Sequence, residues 1–155
     1  MAKIEAGVII IERPVEEVWN FVTDLSKHVE WCAQGEKMQE TSPGPLSVGS
    51  TFFGITPDGN KHAGRVDEYE PNRKMSLKAT SGPEKGSTVS YTFEPIEGGK
   101  TGLKEVVEFR PSGFLKLLMP FVAGRMKRKV QADAEGGFSN IKRILESEAQ
   151  EVANR

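Results

Sequence analysis

The N-terminal part of the chain changes from the pattern of a strand to that of a helix. Residues 4–11 are rich in β-branched side chains, which predicts a strand. Pro14 then fixes the backbone for a first helical turn, and in segment 14–23 apolar residues recur three and four positions apart. This spacing predicts a short helix with one apolar face. Residues 25–35 have no long period and predict a compact corner with a second short helical turn.

The middle of the chain, up to Arg110, has the pattern of an antiparallel sheet. Residues typical of turns separate short strand-like runs, so sequential hairpins are the simplest topology. The runs are 50–56, 62–69, 74–80, 87–94 and 101–109. Alternation along the last two runs predicts interior faces made of Val89, Tyr91 and Phe93, and of Leu103, Glu105, Val107 and Phe109.

After Pro111 the apolar period becomes that of a long helix, with apolar residues mostly four positions apart up to Leu145. The roughly thirty residues after Pro120 would span about 45 Å, enough to cross the whole sheet. We expect Pro120 to separate a short lead-in helix from the long one. The adjacent glycines 136–137 cost about 1 kcal/mol each relative to alanine, which a close approach, a kink or room for a ligand would offset.

Length and composition favour one domain over residues 1–150, followed by a polar tail at 151–155. The net charge of −1 creates no global field that would attract nucleic acid or an anionic membrane. The apolar stretch 114–122 is too short to cross a bilayer, so we predict no integral membrane segment. The single cysteine, Cys32, and the lack of a signal-peptide pattern at the N-terminus favour a cytoplasmic location.

The order of these elements resembles the helix-grip fold of the START-like, or SRPBCC, superfamily, in particular its polyketide cyclase/dehydrase-type members. The residues that carry the resemblance are segments 9–24, 66–73 and 108–113 together with Trp31. The resemblance covers nearly the whole chain. It implies an α+β fold in which a curved antiparallel sheet wraps around a long C-terminal helix, with two short helices after the first strand. It also implies a cavity between sheet and helix, where relatives hold lipids, sterols, polyketides, quinones or plant hormones, without indicating which.

We therefore expect the interior to bind a hydrophobic small molecule, with no cofactor. The residues expected to line it are Trp31, Phe52, Ile55, Leu77, Tyr91, Phe93, Leu103, Glu105, Val107, Phe109, Phe114, Leu118, Val122 and Met126.

Glu105, Tyr91 and Arg65 are the candidates for chemistry in this interior. Glu105 shares the face of apolar residues, where burial would raise its pKa and make it a general acid or a donor to a ligand carbonyl. An internal salt bridge or a bulge that turns Glu105 outward is the alternative. Tyr91 either orients a ligand or bonds within the core. Arg65 and His62 have opposite parity on one strand, and the sequence does not fix which parity faces inward. An inward Arg65 would pair with Glu105 or bind an anionic group of the ligand, and an outward one would lie on the surface.

Other polar residues carry weaker signals. His28 and His62 lack the spacing of a metal motif, so we predict no metal site. Cys32 has no sequence pattern of a nucleophile. The basic run 125–129 predicts a solvated helix face rather than a nucleic-acid contact.

Three functions remain open from the sequence. The first is binding of a hydrophobic small molecule, and the second is a cyclase or dehydratase that uses Glu105 with Tyr91 or Arg65. The third is an interaction module with a filled core. A monomer and a homodimer are equally compatible with the pattern.

Overall fold

A seven-stranded antiparallel sheet and one long helix make up most of residues 2–111 and 113–155, the part of the chain that the computed structural model describes. The strands are β1 (Ala2–Ile11), β2 (Lys37–Glu40), β3 (Thr51–Ile55), β4 (Lys61–Glu70), β5 (Lys74–Ala79), β6 (Thr88–Ile96) and β7 (Lys100–Phe109). The helices are α1 (Val15–Val22), α2 (His28–Trp31) and α3 (Phe114–Ala153), with a single 3₁₀ turn at Leu25–Lys27 before α2.

The strand order is β1-β7-β6-β5-β4-β3-β2, and every neighbouring pair is antiparallel. Strands β2 to β7 follow one another as hairpins, which confirms the predicted meander, and β1 pairs with β7 at the far edge. The predicted α+β class, the curved sheet, the short helices after β1 and the C-terminal helix are all confirmed. Strand β2 was missed because it has only four residues, all of them exposed or half-buried, and so lacks an alternating signal.

A bulge in β4 decides which parity of this strand faces inward. Gly64 and Val66 are buried on the inner face, whereas Arg65 is exposed and pairs with Asp67 at 3.5 Å on the outer face. The register shifts between Val66 and Glu68, so that beyond the bulge Tyr69 packs against the core. The even positions therefore face inward before the bulge and the odd ones after it.

Helix α3 is continuous from Phe114 to Ala153, with Pro120 inside it, so the expected division at Pro120 is wrong. Proline removes one backbone N–H and leaves the carbonyl of Lys116 without its helical partner. Both residues are exposed, so water can satisfy that carbonyl. Residues 151–153 are the last residues of this helix.

The C-terminal half of α3 holds this helix on the domain. Its buried residues all lie from position 134 onward and are Ala134, Gly137, Phe138, Ile141 and Leu145. A Cβ at Gly137 would lie 3.3 Å from Cε3 of Trp31, and a Cβ at Gly136 would lie 3.3 Å from Ala33. The two glycines thus allow α3 to approach the segment around α2 closely, and this close approach offsets their cost in the helix.

Helix α1 packs its apolar face on the sheet and contacts β4 and β6 through Trp19. Trp19 makes edge-to-face contacts with Tyr69 and Phe93, with ring centroids 5.3 and 5.0 Å apart. Leu103, the cross-strand partner of Phe93, is fully buried in the same cluster. This part of the interior is solid core.

We expect Phe138→Ala to lower the free energy of unfolding by about 3–5 kcal/mol, because Phe138 is only 1% exposed and its removal leaves a cavity. The matched control is Phe121→Ala in the same helix, where the ring is 85% exposed and the change should stay within about 0.5 kcal/mol. Urea denaturation of both variants measures the difference. Equal losses would show that the two halves of α3 are anchored alike.

Candidate functional site

A cavity of about 570 Å³ lies between the inner face of the sheet and α3. Strands β3 to β7 form one wall, the α2 segment forms one end, and α3 covers the cavity from Met126 to Gly137. The predicted site residues that line the cavity are Trp31, Phe52, Leu77, Tyr91, Glu105, Val107, Phe109 and Met126.

The structure places the other predicted site residues elsewhere. Phe93 and Leu103 lie in the core under α1, and Ile55 shares the outer parity of β3 with the exposed Phe53. Phe114, Leu118 and Val122 precede the part of α3 that covers the cavity; Phe114 is exposed and the other two are half-buried. Arg65 lies on the outer face of β4, so it does not pair with Glu105.

Glu105 and Tyr91 form a buried polar pair on the wall of the cavity. They are directly opposite each other on β7 and β6, and Glu105 is 8% exposed. Burial raises the pKa of Glu105 to about 7; a hydrogen bond from the Tyr91 hydroxyl opposes this shift, and the charge of Asp133 adds to it. Burial and the neighbouring carboxylate raise the pKa of Tyr91, which keeps its hydroxyl protonated. The wall thus carries a phenol and a carboxyl that is partly protonated at neutral pH.

Trp31 supplies a third polar group beside this pair. Its indole is 4% exposed and stands edge-to-face to Tyr91 at 6.1 Å. Among residues 2–111 and 113–155, its Nε1–H has no hydrogen-bond partner. The Cε3–Cζ3 edge of the ring packs on Gly137, so Nε1 lies on the opposite edge of the ring from α3. A buried donor without a partner costs about 1–3 kcal/mol, and a ligand oxygen or a water would relieve this cost.

His28 is a buried neutral side chain at the same end of the cavity. Its ring packs edge-to-face on Trp31, with centroids 4.6 Å apart. Burial lowers its pKa, and the charge of Glu36 opposes this only in part. No group of three metal-ligating side chains occurs within residues 2–111 and 113–155.

Charged and polar residues surround the mouth of the cavity. His62 Nε2 lies 2.8 Å from Glu36 Oε1. Asp133 Oδ2 accepts hydrogen bonds from Gln34 Nε2 at 2.6 Å and from Lys129 Nζ at 2.9 Å, which joins the α2 corner to α3. Sequence reasoning missed Glu36, Gln34 and Asp133. Only Asp133 had a usable signal, because it lies seven positions after Met126 and thus on the same face of the helix.

Cys32 also lines the cavity, but its thiol is a weak nucleophile. Burial raises the pKa of the Cys32 thiol, which keeps it protonated and poorly nucleophilic. Cys32 thus adds no activated nucleophile to the Glu105–Tyr91 pair.

The family model described as polyketide cyclase / dehydrase and lipid transport matches residues 1–146. No curated protein sequence matches the chain. Among solved structures, protein MLL2253 from Mesorhizobium loti is similar with a TM-score of 0.67 and 21% identity, over 94% of this chain and 98% of that one. Protein XoxI from Bacillus cereus is similar with a TM-score of 0.67 and 14% identity, over 93% and 95% of the two chains. At these identities the likeness to solved structures shows the fold alone.

Replacing Glu105 by glutamine should remove a pH-dependent cost of folding. Between its ordinary pKa of 4.5 and about 7, folded Glu105 keeps a proton that the unfolded chain has released. The free energy of unfolding of the wild type therefore falls as pH rises through this window. Glu105→Gln should gain up to about 3 kcal/mol over wild type near pH 8 and little near pH 4.

Urea denaturation of the wild type and of Glu105→Gln across this pH range measures the gain. Burial lowers the pKa of His28, so His28 makes the free energy of unfolding rise with pH; this effect is the same in both proteins and cancels in their difference. Glu108→Gln, on the half-buried opposite face of β7, controls for the loss of one carboxyl. A gain independent of pH would show that folding does not raise the pKa of Glu105.

Proposed function

Because the chain belongs to the polyketide cyclase/dehydrase and lipid transport family, we propose that it binds a hydrophobic small molecule in the cavity between the sheet and α3. The observation that carries the proposal is the 570 Å³ cavity, which falls within the range of about 300–1,000 Å³ typical of ligand sites. Its walls combine Phe52, Leu77 and Val107 with the three buried polar groups of Glu105, Tyr91 and Trp31. An apolar surface with a few buried polar groups is the usual composition of such a site.

The polar groups define the chemistry of the proposed ligand. The Trp31 N–H only donates, the Tyr91 hydroxyl donates and accepts, and Glu105 donates when it is protonated. A ligand with an apolar body and a carbonyl or hydroxyl oxygen at one end would accept from Trp31 and from protonated Glu105, while Tyr91 donates to the other oxygen of Glu105. A lipid, a polyketide and a quinone each carry such an oxygen. Affinity then comes mainly from apolar burial, at about 25 cal/mol per Å², and the oxygen fixes the orientation.

A second candidate function is catalysis in the same cavity, of the cyclase or dehydratase type. The observation that favours it is the pKa of Glu105 of about 7, because a general acid or base works best when its pKa lies near the working pH. Glu105 would transfer the proton, and Tyr91 would hold the developing oxygen charge. Arg65 has no part in this proposal, because it lies on the outer face of the sheet.

The interaction module with a filled core receives the least support. Its interior would have to close between the sheet and α3, whereas a cavity separates Met126 and Val130 from the sheet. The buried donor of Trp31 would also remain without a partner in a filled apolar core.

We also propose that the protein is located in the cytoplasm. The chain has one cysteine, Cys32, and therefore no internal disulfide that would need an oxidising compartment. Its protonated thiol lines the cavity and stays free in a reducing environment.

Binding is tested by thermal denaturation in the presence of a panel of fatty acids, phospholipids, quinones and aromatic polyketides. We expect at least one class to raise the melting temperature of wild type in a concentration-dependent way. Val107→Trp should abolish this rise, because the indole fills the cavity beside Glu105.

The matched control is Val106→Trp, which places the same side chain on the opposite face of β7. It should retain the ligand-dependent rise. If no class stabilises wild type, or if both variants respond like wild type, the cavity is not the binding site.

Catalysis is tested by turnover with any polyketide or related carbonyl compound that the panel shows to bind. If Glu105 transfers the proton, Glu105→Gln should lower kcat by about a hundredfold or more while ligand-dependent stabilisation persists. Glu108→Gln serves as the control on the same strand. An unchanged kcat in Glu105→Gln would exclude Glu105 as the catalytic acid and leave binding untouched.

A further inference from the structure

The N-terminal half of α3 is packed on the domain less tightly than the C-terminal half. None of its residues from Phe114 to Asp133 is buried, over a length of about 30 Å. Instead it exposes Phe114, Leu117 and Phe121, whose side chains are 73%, 72% and 85% accessible. Single exposed apolar side chains are ordinary on a protein surface, but three large ones on one short stretch form a contiguous patch, which marks an interaction surface.

These residues share one face of the helix with two arginines. Phe114, Leu117 and Phe121 are three and four positions apart, and Arg125 and Arg128 continue the same spacing into the next two turns. At about 100° per residue, Met126 and Val130 lie on the other side, where they line the cavity. We name the helix from Phe114 to Val130 the docking segment.

The docking segment is the most basic part of the chain. It contains Lys116, Arg125, Lys127, Arg128 and Lys129, and the sequence has no acidic residue between Glu108 and Asp133. The protein as a whole has a net charge of −1, so the positive charge is concentrated here and balanced elsewhere. A net charge close to zero for the whole protein is therefore compatible with a local basic surface that attracts anions.

We propose that the docking segment binds the surface of a bilayer that contains anionic phospholipids. The exposed apolar side chains enter the boundary between head groups and acyl chains, and the basic side chains contact the anionic head groups. The segment lies on the bilayer rather than crossing it: within residues 2–111 and 113–155 no helix is apolar and long enough to span the membrane.

Charge favours a bilayer over a second copy of the chain as the partner of this surface. Two docking segments packed through this face would bring four arginines, two from each segment, into one contact without an acidic side chain from either segment. Such an arrangement is repulsive, whereas an anionic membrane provides both the opposite charge and an apolar interior.

The test is cosedimentation of the protein with vesicles of phosphatidylcholine mixed with phosphatidylglycerol, and with vesicles of phosphatidylcholine alone. We expect binding to the anionic vesicles, weaker binding as salt rises, and little binding to the neutral ones. No added ligand is needed, so the result is independent of whether the cavity binds a small molecule.

Two double variants separate the apolar and the basic contributions. Leu117→Ser with Phe121→Ser should weaken binding to anionic vesicles by at least about tenfold. Arg125→Gln with Arg128→Gln should weaken it by about fivefold per arginine and reduce its salt dependence. All four residues are exposed, so the variants should fold with the wild-type melting temperature.

The matched controls change exposed residues outside the docking segment. Val8→Ser with Val48→Ser removes two valines that are 68% and 62% exposed, and Lys37→Gln with Lys85→Gln removes two exposed charges. Both should bind like wild type. Equal loss in the controls, equal binding to neutral vesicles, or no binding at all would overturn the proposal. Sedimentation velocity showing a dimer that Leu117→Ser with Phe121→Ser dissociates would overturn it too and assign the surface to a second copy.

Discussion

The structure depends on the uneven attachment of α3 to the sheet. Phe138 and Ile141 bury the C-terminal half of the helix, and Gly137 brings it into close contact with Trp31. Toward the N-terminus of the helix no side chain from Phe114 to Asp133 is fully buried, and Met126 and Val130 line the cavity. The same continuous helix thus packs on the core with its C-terminal half and covers the cavity with the turns around Met126 and Val130. Because α3 runs as one continuous helix, the tight packing of its C-terminal half also positions the part that covers the cavity.

A buried carboxyl gives this space its chemical character. Glu105 lies in a row of apolar side chains, where burial raises its pKa to about 7 and lowers stability at higher pH. Tyr91 provides only partial compensation, and Trp31 adds a donor without a partner. A core selected for stability alone would replace all three by apolar groups. Their presence around one cavity is consistent with a site that is completed by a ligand.

Strong periodicity predicted most of the fold and part of the site. The alternation in β7 placed Glu105 on the inner face, and the helical period placed Met126 over the sheet. The same rule of alternation argues against the expectation for Ile55, since Phe52 and Ile55 are an odd number of positions apart on one strand. The contribution of Pro120 was misjudged because solvent exposure, which the sequence does not show, lets a helix tolerate proline. The bulge in β4 and the partnerless Trp31 donor depend on three-dimensional packing and had no sequence signal.

The most direct test of the account is an experimental structure of the protein purified without added ligand, refined with attention to the space under α3. The account predicts extended non-protein density between Met126 and the sheet, with a polar atom within hydrogen-bonding distance of Trp31 Nε1 or Glu105. It also predicts that this density occupies the wild-type cavity in place of protein side chains. A structure in which Met126 and Val130 meet Leu77 and Val107 in direct contact, with no void that a small organic molecule could fill, would contradict it.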